Sequence, residues 1–394
     1  MKQYNIPKIV EGVFSVGVKD WNRKLFDALI PLPQGTTYNS YLVKGKEKTA
    51  LIDTVNPGFE KELAGRINDV SDVKNLDYLI MNHAEPDHAG SIPYILDMNK
   101  KTILVTSEKG AKMANIYYNV PEKRIKKVHE KDTINLGGKT LQFIDASWLH
   151  WPETMFTYLV ENKVLFPCDF FGAHTAQGTY DEDVEELMVF AQRYFGEIMM
   201  PFNNMGKKAM EKIKELKIDF IAPSHGPIYR NPKKIIDAYT GWTKSETKHK
   251  VIIVYVSMWK STEKMIKTMV ETLREEGLEI SIHNLVHADL GDIAKDLVDS
   301  RGIVLGAPTV LGGMHPLAVY ASYLVKALRP PLKHAVVLSS FGWGGGSLRQ
   351  ASELLSPTNI NVVGTLEING PPTDEDLQKI IEIGKQLSNK IKEG

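Results

Sequence analysis

From Val251 onward, apolar strand-like segments alternate regularly with helical segments, and this alternation constrains the fold of the 394-residue chain more than any other feature. Strands that alternate with helices in this way form a parallel sheet covered by helices. One helix is expected over 263–276, where Gly277 provides a favourable C-terminal stop. The expected strands are VIIVYVS, EISIHNL, GIVLGAP, HAVVLSSF and NVVGTLEI, and they predict a five-stranded, doubly wound α/β domain.

The preceding part of the chain has a different pattern. Between Tyr38 and about Phe220, short β-rich segments alternate with loops and helices; they include YNSYLV, TALID, YLIMNH, TILVT, LQFIDA, MFTYLV and KVLFPCD. The polar segment TKSETKHK, residues 243–250, is a natural linker between the two patterns. A chain of this length is expected to hold more than one domain. We therefore predict one domain over 1–249 and a second over 250–394.

The composition argues against several classes of partner. Lysine plus arginine and aspartate plus glutamate both number 48, so no charge imbalance favours nucleic acid or an anionic membrane. No run of apolar residues reaches the roughly 18 that a membrane helix needs. The first residues lack the apolar segment of a secretory signal. Cys168 is the single cysteine, which excludes an intrachain disulfide and a cysteine-ligated iron centre. We expect a cytoplasmic protein.

The stretch NHAEPDHAG, residues 82–90, carries four potential metal ligands directly after an apolar run. Extended residues two apart point the same way, so His83 and Glu85 are expected to face one centre. Asp87 and His88 follow in the turn that opens the next helix, and we expect them to face a neighbouring centre. The stretch therefore predicts a site for two metal ions.

Three more residues are candidates to complete the two centres: His150 in SWLHWPETM, Asp169 in LFPCDFFG and His225 in APSHGP. Each follows an apolar or strand-like run and lies beside proline or glycine in a tight loop. An aspartate such as Asp169 can bridge two metals with one oxygen on each. His174 in FGAHTAQG is either a hydrogen-bonding partner of a ligand or an ordinary loop histidine. A single loop histidine is usually only solvated, but the whole pattern favours a metal site.

Three loops of the second half lie where a doubly wound domain binds ligands, beyond the carboxyl ends of its strands. The first, VSMWKSTEKM, offers the hydroxyls of Ser257, Ser261 and Thr262 and a helix N-terminus, which suit a phosphate. GAPTVLGGMHP (306–316) and SSFGWGGGS (339–347) contain glycines that would let the backbone approach a flat ring, with Trp343 at its side.

The cluster in NHAEPDHAG, together with LHWPETM, CDFFGAH and APSHGPI, resembles the metallo-β-lactamase superfamily and, within it, the flavodiiron proteins (A-type flavoproteins). The resemblance implies an N-terminal metallo-β-lactamase-like αβ/βα sandwich. Glu85 stands where zinc hydrolases of the superfamily have histidine, and an anionic carboxylate suits ferric iron. The implied ligands are His83, Glu85 and His150 for one iron and Asp87, His88 and His225 for the other, with Asp169 bridging.

The three loops of the second half resemble flavodoxin, which implies a flavodoxin-like domain that binds flavin mononucleotide (FMN). Two positions depart from the flavodoxin pattern: Lys260 replaces a usual glycine, and Val256 replaces a frequent aspartate. The implied FMN-binding residues are Ser257, Met258, Trp259, Lys260, Ser261, Thr262, Pro308, Thr309, Leu311, Gly312, Ser340, Phe341, Gly342, Trp343, Gly344 and Gly345.

The flavodiiron resemblance implies an oxidoreductase that reduces dioxygen to water, nitric oxide to nitrous oxide, or both. Two irons store two electrons and reduced FMN stores two more. Together they supply the four electrons that reduce dioxygen to water, or the two that convert two nitric oxide molecules to nitrous oxide. The resemblance also implies a head-to-tail homodimer or a dimer of dimers, because in that arrangement the flavin of one subunit lies against the irons of the other. A rubredoxin module needs four cysteines, so the donor is expected to be external: a rubredoxin or a reduced deazaflavin coenzyme.

Several alternatives stay open. Some oxygen-reducing relatives place a histidine and a tyrosine beside the irons, but residues 22–39 contain no histidine, and Phe195 is expected at the aromatic position, next to Tyr194. Both gases therefore remain candidates. A metal-dependent hydrolase with a flavodoxin-like tail is the first alternative function, although Glu85 argues against it. A non-catalytic flavin electron carrier is the second, and it leaves the seven ligand-type residues unexplained.

Overall fold

The computed structural model describes residues 3–393, so the predicted domain limits 1 and 394 lie outside the described residues. The chain divides into two compact units. The first unit runs to Phe195 and includes Phe202–Thr240. The second unit contains Gly196–Pro201 and the chain from Gly241 onward. Among the described residues, no helix has the length and apolar character to cross a membrane.

The first unit is built mainly from short strands. In chain order they are Lys8–Val10 (β1), Val13–Ser15 (β2), Val18–Asp20 (β3), Leu25–Phe26 (β4), Ile30–Pro31 (β5), Thr36–Tyr38 (β6), Tyr41–Lys44 (β7), Thr49–Ile52 (β8), Tyr78–Ile80 (β9), Ile103–Ser107 (β10), Ile125–Val128 (β11), Thr133–Asn135 (β12), Thr140–Asp145 (β13), Met155–Leu159 (β14), Val164–Phe166 (β15) and Phe220–Ile221 (β16). The strands expected from the sequence correspond to β7–β10 and β13–β15.

Helices connect these strands. They are Glu60–Asn68 (α1), Pro86–Ala89 (α2), Ile92–Met98 (α3), Glu108–Tyr118 (α4), Leu187–Tyr194 (α5), Asn203–Ile213 (α6) and Lys233–Thr243 (α7), which runs past the end of this unit. Short 3-10 turns span Val73–Asn75, Glu122–Arg124, Asp181–Asp183 and Met200–Phe202, and a π-helical turn spans Phe195–Met199.

Two sheets face each other in the first unit. The larger has the order β1-β2-β7-β8-β9-β10-β11, and the smaller has the order β12-β13-β14-β15-β16. One apolar core contains Ile52 and Ile80 of the larger sheet with Phe143 and Phe166 of the smaller, so it fills the space between the sheets. A second core packs α1, α3 and α4 against the larger sheet. This layering confirms the predicted metallo-β-lactamase-like fold class.

The second unit is a parallel sheet with helices. Its strands are Lys250–Tyr255 (β17), Glu279–Asn284 (β18), Gly302–Val310 (β19), Gly313–Met314 (β20), His334–Phe341 (β21) and Asn361–Asn369 (β22). Its helices are Ser261–Glu275 (α8), Leu290–Leu297 (α9), Pro316–Leu328 (α10), Ser347–Leu355 (α11) and Asp374–Lys392 (α12).

The sheet of the second unit has the order β18-β17-β19-β21-β22, and all neighbouring strands in it are parallel. The short β20 pairs with β19 in antiparallel fashion, outside this order. The order places the first strand between the second and the third, which is the flavodoxin-like arrangement. The predicted five-stranded doubly wound domain is confirmed. The helix expected over 263–276 forms as α8, and Gly277 follows it with φ +77°.

A buried ionic cluster lies at the start of the sheet of the second unit. Lys250 is 4% exposed, and its Nζ lies 3.0 Å from Asp296 Oδ1 and 3.0 Å from Asp299 Oδ1. His283 Nε2 lies 2.8 Å from the other oxygen of Asp296. Burial disfavours both charges, but the attraction is larger: it raises the pKa of Lys250 and lowers that of Asp296. The lysine therefore neutralises two carboxylates at the sheet end.

We expect Lys250→Met to lower the free energy of unfolding by about 3 kcal/mol at pH 7, because it removes the buried cation that Asp296 and Asp299 share and leaves them only His283 and the exposed Lys248. Asp296 has a lowered pKa, so its stabilisation is present above about pH 4 and is lost as the pH falls. Lys250 has a raised pKa, so its stabilisation is present below about pH 10 and is lost above. Urea unfolding should therefore show a smaller deficit of the variant at pH 3.5 than at pH 7.

Lys248→Met is the matched control for this prediction. Lys248 Nζ also reaches Asp299, at 2.8 Å, but its side chain is 61% exposed. Exposed ion pairs contribute at most about 1 kcal/mol. An equal loss in both variants at pH 7 would contradict a special role for the buried lysine.

Candidate metal centre and flavin cavity

The loop that follows β9 carries four of the predicted metal ligands, and buried hydrogen bonds fix it. Asp53, which follows β8 with φ +52°, accepts hydrogen bonds from the backbone N–H of Asn82 (2.8 Å) and from its Nδ2 (3.1 Å). Pro86 then occupies the first turn of α2, where its fixed φ and missing N–H are compatible with a helix start. The short helix turns Asp87 and His88 back toward the end of the sheet.

The structure brings all seven predicted metal ligands together in two adjoining groups of side chains. In each group the possible ligand atoms lie within 4.8 Å of one another. The first, called here the His83 group, consists of His83, Glu85, His150 and Asp169. The second, called the His88 group, consists of Asp87, His88 and His225. A third overlapping set contains His88, Cys168 and Asp169.

Asp169, a member of the His83 group, also contacts the His88 group, with one carboxylate oxygen toward the histidines of each. Its Oδ1 lies 3.0 Å from Nε2 of His88 and 3.4 Å from Nε2 of His225. Its Oδ2 lies 3.4 Å from Nε2 of His150 and 3.6 Å from Nε2 of His83. This arrangement is the one that a carboxylate bridging two cations needs.

The buried polar atoms of the site fit a pair of cations. Both carboxylate oxygens of Asp87 and of Asp169 and both ring nitrogens of His88 are buried without a hydrogen-bond partner among the described residues. Such groups are costly to bury unless a charge or a metal satisfies them. Carboxylates combined with imidazoles are a ligand set suited to iron. The residues present therefore fit a non-haem di-iron centre.

The electrostatics of the cluster also favour positive charge. Burial alone would lower the histidine pKa values, but the neighbouring carboxylates raise the pKa to about 9 for His83, about 9 for His88 and about 10 for His150. Burial alone would raise the pKa of Glu85, but hydrogen bonds from His150 and His83 lower it below the ordinary range. Metal ions bind where protons would otherwise be held, so metal binding is expected to release protons.

Two of the predicted ligand histidines have partners on Nδ1, the ring nitrogen that faces away from the metal groups, and the sequence did not indicate these partners. Nδ1 of His225 lies 2.7 Å from the carbonyl oxygen of Thr37. Nδ1 of His83 lies 2.7 Å from Oε1 of Glu153. Such contacts orient a metal-bound histidine. Glu153 lies in the motif LHWPETM beside His150, and only its acidic character near a ligand could have suggested this contact.

His174 packs against His225, one of the predicted ligands, and no hydrogen bond between the two rings is found among the described residues. Its Nδ1 lies 3.0 Å from Oγ1 of Thr36, and its ring centre lies 4.8 Å from that of His225. Nε2 is buried without a hydrogen-bond partner among the described residues. Burial, together with the nearby charge of His225, holds the pKa of His174 well below its usual value. This histidine is therefore neutral and supports His225 by packing.

The expectation that Phe195 is the aromatic residue beside the metals is wrong. Tyr194 occupies that place: its ring centre lies 4.8 Å from that of His174 and 5.8 Å from that of His225, and burial, together with the nearby charge of Asp169, raises the pKa of its hydroxyl. Phe195 instead packs against Tyr239, with ring centres 5.2 Å apart. Both residues lie at the end of α5, where consecutive side chains point about 100° apart, so only one can face the site. The aromatic residue beside the predicted metal groups therefore carries a hydroxyl, which phenylalanine would have lacked.

The second unit contains a cavity of about 430 Å³ beyond the carboxyl ends of β17, β19, β21 and β22. This volume is typical of a site for a small cofactor. The predicted residues that line it are Ser257, Met258, Trp259, Ser261, Thr262, Pro308, Thr309, Ser340, Phe341, Gly342 and Trp343. Gly370 and Pro371, which follow β22, also line it and were not predicted. Leu311, Gly312, Gly344 and Gly345 are not among the lining residues, and Lys260 lines a separate groove beside it.

The structure shows where the two departures from the flavodoxin pattern, Lys260 and Val256, lie: Lys260 is at a left-handed backbone position, and Val256 is in the core. Lys260 adopts φ +68°, the left-handed conformation that favours glycine, immediately before α8. Val256 is 1% exposed and belongs to the core, so it presents no side chain to solvent. At the cavity, Ser257 Oγ accepts a hydrogen bond from Glu263 N (3.2 Å), as expected of a loop that caps α8.

The cavity fits a flat ring that carries a phosphate. The N-terminus of α8 supplies backbone N–H groups and the hydroxyl of Ser261, which suit an anion. Trp259 and Trp343 are 86% and 88% exposed at the mouth of the cavity, where they are free to flank a ring system. Added Cβ atoms at Gly342 or Gly344 would meet nothing within 4 Å, so the loop leaves open space.

Fold and site together define a protein with a metallo-β-lactamase-like domain and a flavodoxin-like domain, and comparisons with known proteins agree. A family model described as ODP family beta lactamase matches residues 36–226. A nitric oxide reductase of Moorella thermoacetica is 34% identical, over 97% of this chain and 98% of that protein. A coenzyme F420H(2) oxidase of Methanocaldococcus jannaschii is also 34% identical, over 100% of this chain and 99% of that protein.

A solved structure gives the same result. The rubredoxin oxygen:oxidoreductase of the anaerobe Desulfovibrio gigas superposes with a TM-score of 0.95 at 30% identity, covering 98% of this chain and 99% of that one. The chain therefore belongs to the flavodiiron proteins. It is an oxidoreductase of this class, with FMN and a non-haem di-iron site as its cofactors, and the hydrolase alternative is not favoured.

Proposed function

We propose that the two iron ions of this oxidoreductase are held by the seven residues of the His83 and His88 groups. One ion takes His83, Glu85 and His150, the other takes Asp87, His88 and His225, and Asp169 bridges them. The placement of Asp169, with one oxygen toward each group at 3.0–3.6 Å from the histidine nitrogens, is the observation that carries this assignment. The unpartnered buried oxygens of Asp87 and Asp169 support it.

When bound, the irons supply the electrons that reduce dioxygen, nitric oxide or both, and FMN supplies those electrons in turn. The protein residues have their own parts in this reaction. Tyr194, 2% exposed, keeps a proton on its phenolic oxygen next to Asp169, because burial holds the pKa of its hydroxyl well above the usual value. His174 and Phe26, with ring centres 4.9 Å apart, form the packed surroundings of His225. This packing limits the access of water to the ligand shell.

We further propose that FMN binds in the cavity of the second unit, with its phosphate at Ser261 and Thr262 and its ring between the loops that contain Pro308 and Trp343. The helix N-terminus at α8 supports the phosphate assignment, and the exposed tryptophans support the ring assignment. Of the sixteen residues implied by flavodoxin, those that line the cavity have the strongest support. For the domain limits we retain 1–249 and 250–394, since β17 begins at Lys250.

We also propose the electron donor, the assembly, the compartment and the classes of partner, partly from the similarity to known flavodiiron proteins. The electron donor is a rubredoxin or a reduced deazaflavin coenzyme, in keeping with the names of the D. gigas and M. jannaschii relatives. The assembly is a head-to-tail homodimer or a dimer of dimers, which the exposed Trp259 and Trp343 beside the flavin cavity support. The compartment is the cytoplasm, supported by a single buried cysteine and hence no intrachain disulfide. The balanced charge supports the absence of nucleic-acid and membrane partners.

Metal and flavin stoichiometry of anaerobically purified protein tests the proposed function. We expect two irons and one FMN per chain, and consumption of dioxygen or nitric oxide when a reduced donor is supplied. Two zinc ions with little flavin and esterase or lactamase activity would instead support the hydrolase. Activity that survives complete removal of iron would support the flavin electron carrier.

A further inference from the structure

We infer that Glu153 is a positioning residue that makes the two halves of the metal centre unequal, by orienting His83 and placing a second negative charge behind it. This inference rests on the ligand assignment proposed above. The observation behind it is that one carboxylate oxygen of Glu153 contacts both the ring of His83 and the backbone N–H of Ala84, the residue between His83 and Glu85. No other ligand histidine of the site has a carboxylate on its distal nitrogen among the contacts of the described residues.

Glu153 contacts the ring of His83 and the backbone of Ala84, the residue between the two proposed ligands His83 and Glu85. Its Oε1 lies 2.7 Å from Nδ1 of His83 and accepts a hydrogen bond of 2.8 Å from the backbone N–H of Ala84. The side chains of Glu153 and His83 are both 0% exposed. Because a carboxylate is an acceptor, Nδ1 of His83 carries a proton toward Glu153. Nε2 faces the His83 group, 3.2 Å from Oε2 of Glu85, so its lone pair would serve a metal there once the metal replaces the proton on Nε2.

Glu153 is itself held in place by its backbone. Its carbonyl oxygen accepts a hydrogen bond of 2.7 Å from Oγ of Ser107. Ser107 is the N-cap of α4, and the same hydroxyl accepts from the backbone N–H of Gly110 at 3.1 Å. The turn that carries Glu153, just before β14, is therefore tied to the junction of β10 and α4, which is the kind of support that a precise metal site requires.

In the His88 group, Nδ1 of each histidine contacts either a neutral group or, among the described residues, no hydrogen-bond partner. Nδ1 of His225 contacts a backbone carbonyl, that of Thr37, at 2.7 Å. Nδ1 of His88 is buried without a hydrogen-bond partner among the described residues. A carboxylate on the distal nitrogen makes an imidazole a more basic ligand than a carbonyl does. The metal of the His83 group is therefore the more strongly bound, and as iron it is the more readily kept in the oxidised form.

Three variants separate this role from a structural one. Glu153→Gln keeps an acceptor oxygen for His83 and Ala84 but removes the charge. Glu153→Leu removes both the acceptor and the charge at similar volume. Thr154→Val is the matched control, because Oγ1 of Thr154 lies near the same nitrogen at 3.4 Å without contributing charge. Thermal unfolding and near-ultraviolet circular dichroism of the metal-free proteins verify that each variant folds.

The first measurement uses zinc alone, in competition with a chelator, on the full chain with its FMN. We expect Glu153→Leu to bind one of the two zinc ions about 10- to 100-fold more weakly, as loss of an outer hydrogen-bond partner of a metal ligand typically does. Glu153→Gln should lose less than about tenfold by the same principle, and Thr154→Val should match the wild type. In the zinc form, nitrogen-15 spectra of the labelled histidines should show a downfield Nδ1–H that shifts in Glu153→Gln and is lost in Glu153→Leu.

The second measurement uses iron. In iron-57 Mössbauer spectra, Glu153→Gln should change one of two iron signals and leave the other, and the reduction potential of the centre should rise. Unchanged zinc affinity, histidine spectra and potential in both Glu153 variants would overturn the inference while the ligand assignment stands. Equal effects in Thr154→Val would overturn it too, since the charge would then have no part. A wild-type chain that fails to bind two metals would overturn the ligand assignment and the inference together.

Discussion

Asp169→Ala should abolish gas reduction, leaving less than about 0.1% of the wild-type rate, because it removes a carboxylate whose two oxygens contact the histidines of both halves of the centre. The remaining histidines and carboxylates of each group would face two cations without a shared anion. We also expect the iron content of the purified variant to fall from two per chain to less than one. FMN content should remain at one per chain, because Asp169 belongs to the first unit and the flavin cavity to the second.

Asp77→Ala is the matched control for Asp169→Ala. Asp77 is a partly buried carboxylate of the same unit, where Oδ2 accepts a hydrogen bond of 2.8 Å from the backbone N–H of Thr49, and it takes no part in either metal group. It should keep both irons and its activity, with a loss of about 1 kcal/mol in the free energy of unfolding. A fully active Asp169→Ala protein with two irons would exclude the bridging assignment.

Ser261→Glu should abolish FMN binding while both irons are retained. Ser261 is the first residue of α8 and lines the flavin cavity, so a glutamate there would face the phosphate. Juxtaposed like charges cost several kcal/mol, which corresponds to an affinity about 100-fold weaker or worse. Fold damage is not expected, because an acidic residue in the first turn of a helix is favourable. Fluorescence titration of the flavin-free protein with FMN measures the loss.

Two controls identify the cause of that loss. Riboflavin lacks the phosphate, so its affinity should differ little between wild type and Ser261→Glu. Ser261→Ala removes a hydroxyl without adding charge and should weaken FMN by only about tenfold. If riboflavin and FMN lost affinity equally, the phosphate of the cofactor would have to lie elsewhere in the cavity.

The same two variants test the proposed head-to-tail assembly. Asp169→Ala keeps a working flavin site and Ser261→Glu keeps a working metal site, so each is inactive alone. Co-expressed subunits would form mixed dimers in which one chain's flavin meets the other chain's irons. Random pairing should restore about one quarter of the wild-type activity, since half of the dimers are mixed and each has one working pair. No recovery in verified mixed dimers would indicate electron transfer within one chain.

The residues proposed as metal ligands were all named from the sequence, and the structure brings them together, but their surroundings could not be predicted. His83, Glu85, Asp87 and His88 are close in the chain, so local geometry already directs them to one place. His150, Asp169 and His225 share the feature of following apolar segments, and the structure brings them to the same cluster. Glu153 lacked such a signal, because its contact with His83 spans seventy residues and depends on how β14 begins beside the loop after β9.

The aromatic residue at the site shows a second limit of sequence reasoning. Tyr194 and Phe195 are consecutive, and only the rotation of α5 against the rest of the first unit decides which of them reaches Asp169. Gly370 and Pro371 at the flavin cavity were missed for a related reason: the fifth strand, β22, brings its following loop to the same edge as the other three loops.

The sequence by itself determined the doubly wound fold of the second unit and the division into two kinds of α/β structure, and it predicted a donor set for the metal site, because periodicity, glycine placement and ligand spacing are local properties of the chain; the fold of the first unit came from the family resemblance of its motifs. The tertiary structure alone decided that Asp169 lies between the two groups, that Tyr194 rather than Phe195 supplies the hydroxyl, and that Glu153 backs His83. These are distances between segments far apart in sequence. They are fixed by the packing of two sheets around a shared core, which no local pattern specifies.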